Sequence, residues 1–181
     1  KGLNVCIVYW SQFADEGEVK DAQAKLWMAD SDRKDMRYRV RGGSYKEYDK
    51  SRNVTQLLYE QYLGIFNGYT GGNIRFLGHS LGNQLATLMA YTISTNINSG
   101  TISGYYMPKR LVLLDPFWGK GAEKSSFNKY PGEVCVTYMT EMLKRNNIAL
   151  EEYRTCGQIG STVGDSCLNM RKLAAYYRIV P

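Results

Sequence analysis

Gly78-His79-Ser80-Leu81-Gly82 stands between an apolar run, Ile74-Arg75-Phe76-Leu77, and a stretch beginning Gln84-Leu85-Ala86-Thr87-Leu88-Met89-Ala90. No other part of the chain constrains its fold as much. The run before it reads as a buried strand and the stretch after it as an amphipathic helix. A G-x-S-x-G turn between two such elements lifts the serine hydroxyl above the edge of a sheet. Glycines two before and two after the serine let strand and helix pass closely without a Cβ in the way. The chain's one histidine, His79, lies inside this turn.

Other strands and helices alternate around it. Asn4–Trp10 is nearly continuous in hydrophobicity, as a parallel strand covered on both faces should be. Residues 11–50 are polar and weakly periodic, and read as a long excursion with a short helix from Glu18 to Met28. Val54, Leu57, Leu58, Tyr62, Ile65 and Phe66 recur at helical spacing, which predicts a helix over 53–66. The turn itself takes a strand at 73–78 and a helix at 82–96. A Gly/Ser/Tyr-rich loop (99–107) leads to Arg110–Leu114, a buried strand that ends at Asp115-Pro116. Gly132–Met139 reads as a fourth strand, Met142–Arg154 as helix or loop, and Met170–Arg178 as a closing helix. Strands alternating with helices predict an α/β fold with a mostly parallel sheet.

Length bounds the organisation. At 181 residues, 44% of them hydrophobic, the chain is one domain with room for a sizeable core. A start at Lys1 that runs almost at once into a strand implies upstream sequence, so 1–181 reads as a portion of a longer chain. No run of 18 apolar residues occurs, so no membrane span is expected. The net charge of +6 is moderate, and its densest stretch, Arg33–Arg41, reads as a solvated loop. No nucleic-acid partner is expected.

An elbow serine is a weak nucleophile until a base takes its proton and donors hold the oxyanion. Ser80 is the candidate nucleophile, and the backbone N–H of Leu81, at the helix start, is a candidate oxyanion donor. Asp115 follows four apolar residues and so sits at the carboxyl end of a strand, where open α/β sheets gather functional groups. It comes after the serine, in the order nucleophile, acid, base that α/β-hydrolases follow. The plain alternative is an Asp-Pro turn. A second oxyanion donor is not visible within residues 1–181.

Asn4–Trp10, Asn73–Gly82 and Leu113-Leu114-Asp115-Pro116 together resemble the pancreatic lipase family. The resemblance covers most of the chain, with strong matching confined to these motifs. It implies an α/β-hydrolase lacking its first strands, serine ester hydrolysis of lipid or other acyl esters without a cofactor, and contact with a lipid interface. It also likens Cys156 and Cys167 to cysteines that close a lid loop, which implies a disulfide and a secreted or otherwise oxidising setting. By the same alignment Asn169, two residues after Cys167 and two before Arg171, occupies the position of the catalytic base. Asparagine cannot accept a proton at neutral pH. Low activity is therefore expected.

Three readings follow: a hydrolase with asparagine introduced at 169, a natural lipase-like binding or storage protein, or a hydrolase whose base lies outside residues 1–181. His79 is a packing element of the elbow in the resembling family. Cys6 and Cys135 read as buried thiols, and four scattered cysteines make no zinc spacing. Gly157–Gly164 lacks the G-K-[ST] of a phosphate loop and reads as a lid-like loop. Phe117-Trp118 either line an acyl pocket or join the core. The sequon Asn53-Val54-Thr55 adds little, since sequons arise often by chance.

Overall fold

A computed structural model of the chain describes residues 4–30, 36–120, 128–155, 164–165 and 167–179. In chain order the elements are α1 (Ser11–Ala14), α2 (Val19–Trp27), β1 (Arg37–Tyr38), β2 (Lys46–Glu47), α3 (Val54–Ile65), β3 (Arg75–His79) and α4 (Gly82–Asn98). A short 3-10 turn (Gly104–Tyr106) then leads into β4 (Arg110–Leu114) and β5 (Trp118–Gly119). Last come α5 (Pro131–Asn146), β6 (Ala149–Arg154), β7 (Gly164–Asp165), α6 (Leu168–Leu173) and β8 (Ala175–Arg178). The fold is α/β.

Strands β3, β4, β6 and β8 form one parallel sheet in that spatial order, with His79 opposite Leu114 and Leu114 opposite Tyr153. Each strand is thus laid beside its predecessor by a crossover helix. Parallel crossovers share one hand, so strands advancing in one direction send every crossover helix to the same face. Burial follows this. Leu111, Leu113 and Leu150 are fully buried in the helix-covered core, whereas Leu77 on the opposite face is 63% exposed and Tyr177 48%. Two small antiparallel pairs, β1–β2 and β5–β7, lie outside the main sheet.

Helix α3 forms as the spacing predicts. Val54, Leu57, Leu58 and Tyr62 are buried. Its start is fixed by Asn53, whose side chain accepts from the Gln56 N–H (2.9 Å) while the Gln56 side chain accepts from the Asn53 N–H (2.9 Å). The Asn53 amide also donates to Trp27 O at 3.0 Å. Asn53→Ala is expected to cost about 1 kcal/mol by loss of the cap, measured as a lower denaturant midpoint.

Several expectations are corrected. Residues 4–10 pair with no strand among the described residues, and Val5 and Ile7 are more than four-fifths exposed. An apolar run becomes a strand only where a sheet edge takes it up. Cys6 is accordingly exposed, while Cys135 is buried. Gly132–Met139 is helical, within α5. Pro131 at its first turn is preset for a helix, and the Glu133 side chain accepts the Tyr130 N–H at 2.7 Å. The β-branched residues of this stretch misdirect the propensity argument. Val134, Cys135, Met139 and Met142 instead share one buried helical side. The closing helix stops at Leu173, and Ala175–Arg178 joins the sheet beside β6 with Tyr177 stacked on Tyr153 at 4.8 Å. Met142–Arg154 divides between the end of α5 and strand β6.

The excursion over 11–50 is organised by charge rather than by apolar periodicity. Glu16 and Lys25 are buried together, with Lys25 Nζ donating to Glu16 Oε1 (2.6 Å), Phe13 O (3.0 Å) and Arg37 O (2.7 Å). All three ammonium protons are used. Arg37 closes the cluster with two bonds to the Glu16 carboxylate, at 2.8 and 2.5 Å. Nearby, Arg39 pairs with Asp15 through two bonds, and both guanidinium groups lie over the Tyr45 ring.

Candidate active site

Ser80 follows the last residue of β3 with a left-handed backbone, φ +51°. A non-glycine residue in that region is uncommon and marks strain held by its surroundings. Here the surroundings are explicit. The Ser80 N–H donates to Leu114 O (3.1 Å), and the Ser80 carbonyl accepts from the N–H groups of Asn83 and Phe117, both at 3.2 Å. Gly78 makes the turn sterically feasible. A Cβ there would sit 2.5 Å from Gly82 O and 2.7 Å from Asn83 Cα. At Gly82 a Cβ would meet nothing within 4 Å, so of the two glycines only Gly78 is demanded by close approach.

Asp115 leaves the neighbouring strand in the same manner. Its φ is +39°, and its N–H donates to Tyr153 O at 2.8 Å, across to β6. Both carboxylate oxygens are held by one residue: Oδ1 accepts from Thr155 N–H (2.7 Å) and Oδ2 from Thr155 Oγ (2.6 Å). With His79 opposite Leu114, the serine and the aspartate emerge side by side at the carboxyl ends of adjacent parallel strands. Leu81 stands at the N-terminus of α4, where unsatisfied backbone N–H groups favour negative charge.

Asn169 is placed differently. It is exposed, the second residue of α6, and its Oδ1 accepts from Lys172 Nζ at 3.5 Å. No hydrogen bond joins it to Ser80 or Asp115 among the described residues. Helix α6 is anchored from below: Cys167 Sγ donates to Gly132 O (3.3 Å), and Arg171 Nε lies 3.7 Å from the buried Glu152 carboxylate. His79 is exposed on the sheet face away from the helices and has no hydrogen bond to Ser80 among the described residues.

Trp118 is fully buried and belongs to the core, whereas Phe117 is half-buried, its carbonyl accepting from Gln84 at 2.9 Å. A cavity of about 220 Å³ opens between residues 9–13 and α3, lined by Tyr9, Trp10, Phe13, Tyr38 and Tyr48 among others. None of Ser80, Asp115 and Asn169 lines it. Burial pushes the Cys135 thiol well above its ordinary value, with a further push from Cys167, which keeps it protonated and inert. No group of three or more metal-ligating side chains occurs among the described residues. Cys156, the lid-like stretch 157–163 and the basic residues Arg33 and Lys34 lie outside the described residues.

Two site residues escape sequence reasoning. Thr155 is one residue beyond β6, and only the strand-end position of its neighbours could have drawn attention to it. Asn83 is buried in the first turn of α4, where the elbow pattern prescribes no residue type. Set against protein-family models, curated proteins and solved structures, the chain matches none of them.

Proposed function

We propose that this chain is a lipase-like α/β-hydrolase domain built for acyl transfer through Ser80, with low activity because Asn169 stands at the base position. One observation carries the reading: two left-handed, non-glycine residues, Ser80 and Asp115, side by side at the ends of adjacent parallel strands. In the proposed chemistry Ser80 Oγ attacks an acyl carbonyl, and the Leu81 N–H stabilises the oxyanion. Asp115 would orient a base and stabilise its charged form. A histidine at 169 would supply that base; asparagine offers no proton-accepting nitrogen.

The substrate class is an acyl ester or lipid. The exposed run Val5, Ile7, Val8 and Tyr9 is the surface that would meet a lipid interface. No helix among the described residues is long and apolar enough to cross a membrane. A secreted or otherwise oxidising setting is part of the same proposal; Cys167 is a thiol here, its Sγ donating to Gly132 O, so a bridge to Cys156 would replace that bond.

The second reading, a lipase-like binding or storage protein without catalysis, is favoured by the exposed Asn169 and its contact with Lys172. Hydrolysis of a short-chain nitrophenyl ester separates the two. General-base catalysis contributes about 10²-fold or more, so Asn169→His should raise kcat by at least that factor, and Ser80→Ala should abolish the gain. Equal rates with asparagine and histidine, both lost in Ser80→Ala, would place the base elsewhere. No hydrolysis by any form would favour the binding protein.

A further inference from the structure

Asn83 contributes more to the elbow than a buried helix residue needs to. Its side chain is fully buried and makes three bonds, all to main-chain groups of the two strand exits. Nδ2 donates to Ser80 O at 2.8 Å and to Leu114 O at 3.0 Å, while Oδ1 accepts from the Leu114 N–H at 3.1 Å. The carboxamide thus pairs with both backbone groups of Leu114, as a peptide of a neighbouring strand would. It does so at the residue immediately before Asp115, while also holding the carbonyl of Ser80. Ser80, which it holds directly, and Asp115, the residue after Leu114, are left-handed, at φ +51° and +39°, and each carries the cost of that conformation.

We propose that Asn83 is a positioning residue that locks the nucleophile turn to the acid-bearing strand end and so fixes Ser80 relative to Asp115. The catalytic half of this inference rests on the hydrolase reading; the clamp itself does not. An amide is suited to the task because it offers donors and an acceptor in one plane. Alanine offers neither, and aspartate of the same shape would turn both donated bonds into oxygen–oxygen repulsion. Thr87 supports the clamp from one turn further on, its hydroxyl donating to the Asn83 carbonyl at 2.8 Å.

Two readouts test it. In the chain with Asn169 retained, the HN–Hα couplings and Cα shifts of Ser80 and Asp115 report φ directly. Asn83→Ala should erase the left-handed signature at one or both residues. Thr55→Val, which removes another buried hydroxyl bond (to Leu26 O, 2.7 Å), should leave it intact. In the Asn169→His background, a displacement of the reacting groups costs on the order of 10²-fold, so Asn83→Ala should lower kcat by about that factor with KM unchanged. Asn83→Asp should fall at least as far, whereas a residue that merely filled space would be rescued by it.

Retention of both left-handed signatures in folded Asn83→Ala overturns the clamp. A kcat within about twofold of the parent, in a hydrolysing background, overturns its catalytic role. Should Asn83→Ala not fold, Asn83→Ser, which keeps one donor, carries the same two comparisons. If Asn169→His fails to hydrolyse, the hydrolase reading falls separately and the spectra still decide whether Asn83 holds the turn.

Discussion

Gly78→Ala is expected to destabilise the protein by about 3 kcal/mol or more, the upper end of what overpacking costs. The methyl group would meet Gly82 O at 2.5 Å, Asn83 Cα at 2.7 Å and Asn83 N at 2.8 Å. All three are backbone atoms of the first turn of α4, so no rotamer change relieves the contact. The helix would have to withdraw from β3, and the Asn83 bonds to Leu114 would go with it. Gly82→Ala is the control, because a Cβ there meets nothing within 4 Å. Denaturant midpoints of the two variants should differ widely, with Gly82→Ala close to the parent. Equal midpoints would show that the elbow does not pack as described.

Glu16→Gln should cost about 3–5 kcal/mol, the usual penalty for breaking a buried ion pair by removing one partner. It leaves Lys25 buried and the Arg37 guanidinium without its carboxylate. Burial by itself would raise the Glu16 carboxyl. The hydrogen bonds and charges of Arg37 and Lys25 outweigh it and bring the carboxyl from 4.5 down to about 2. A depressed folded value means the ionised group stabilises the fold above the unfolded value and ceases to do so as pH falls towards 2. The parent should therefore lose about 3 kcal/mol between roughly pH 5 and 2 on account of this group. Lys25 is pushed in the unfavourable direction by burial, but it is protonated in both states throughout that window and adds no slope. In thermal melts against pH, Glu16→Gln should start lower and fall less steeply. A parallel acid slope in parent and variant would mean that Glu16 is not held as described.

Where apolar spacing decided the outcome, the sequence was legible. Arg110–Leu114 is a strand with the predicted ends, and α3 and α4 lie within two residues of expectation. The strand-end positions of Ser80 and Asp115 were legible because a glycine-flanked turn and an aspartate after an apolar run leave local marks. Other features depend on partners distant in sequence. Nothing near Ala175–Arg178 announces that Tyr177 will pair with Tyr153. Nothing near Asn4–Trp10 shows whether an edge will receive it. Glu152, fully buried beside Arg154 and near Arg171, breaks the apolar pattern by which β6 would have been recognised. Asn83 acts on main-chain groups, and Thr155 on the Asp115 carboxylate, that only folding brings within reach. Their roles are geometric and have no motif.

One-directional winding of the sheet has a dynamic consequence. It leaves β3 at the margin, bonded to β4 alone among the described residues, while β4 is flanked on both sides. A marginal strand shares half its amides with water and opens more readily than an interior one. The two strand-end residues therefore belong to regions of unequal rigidity, Ser80 on the looser and Asp115 on the firmer. The elbow gains its persistence from what it grips inward, and a loosening of β3 would move the serine while leaving the aspartate where it stands.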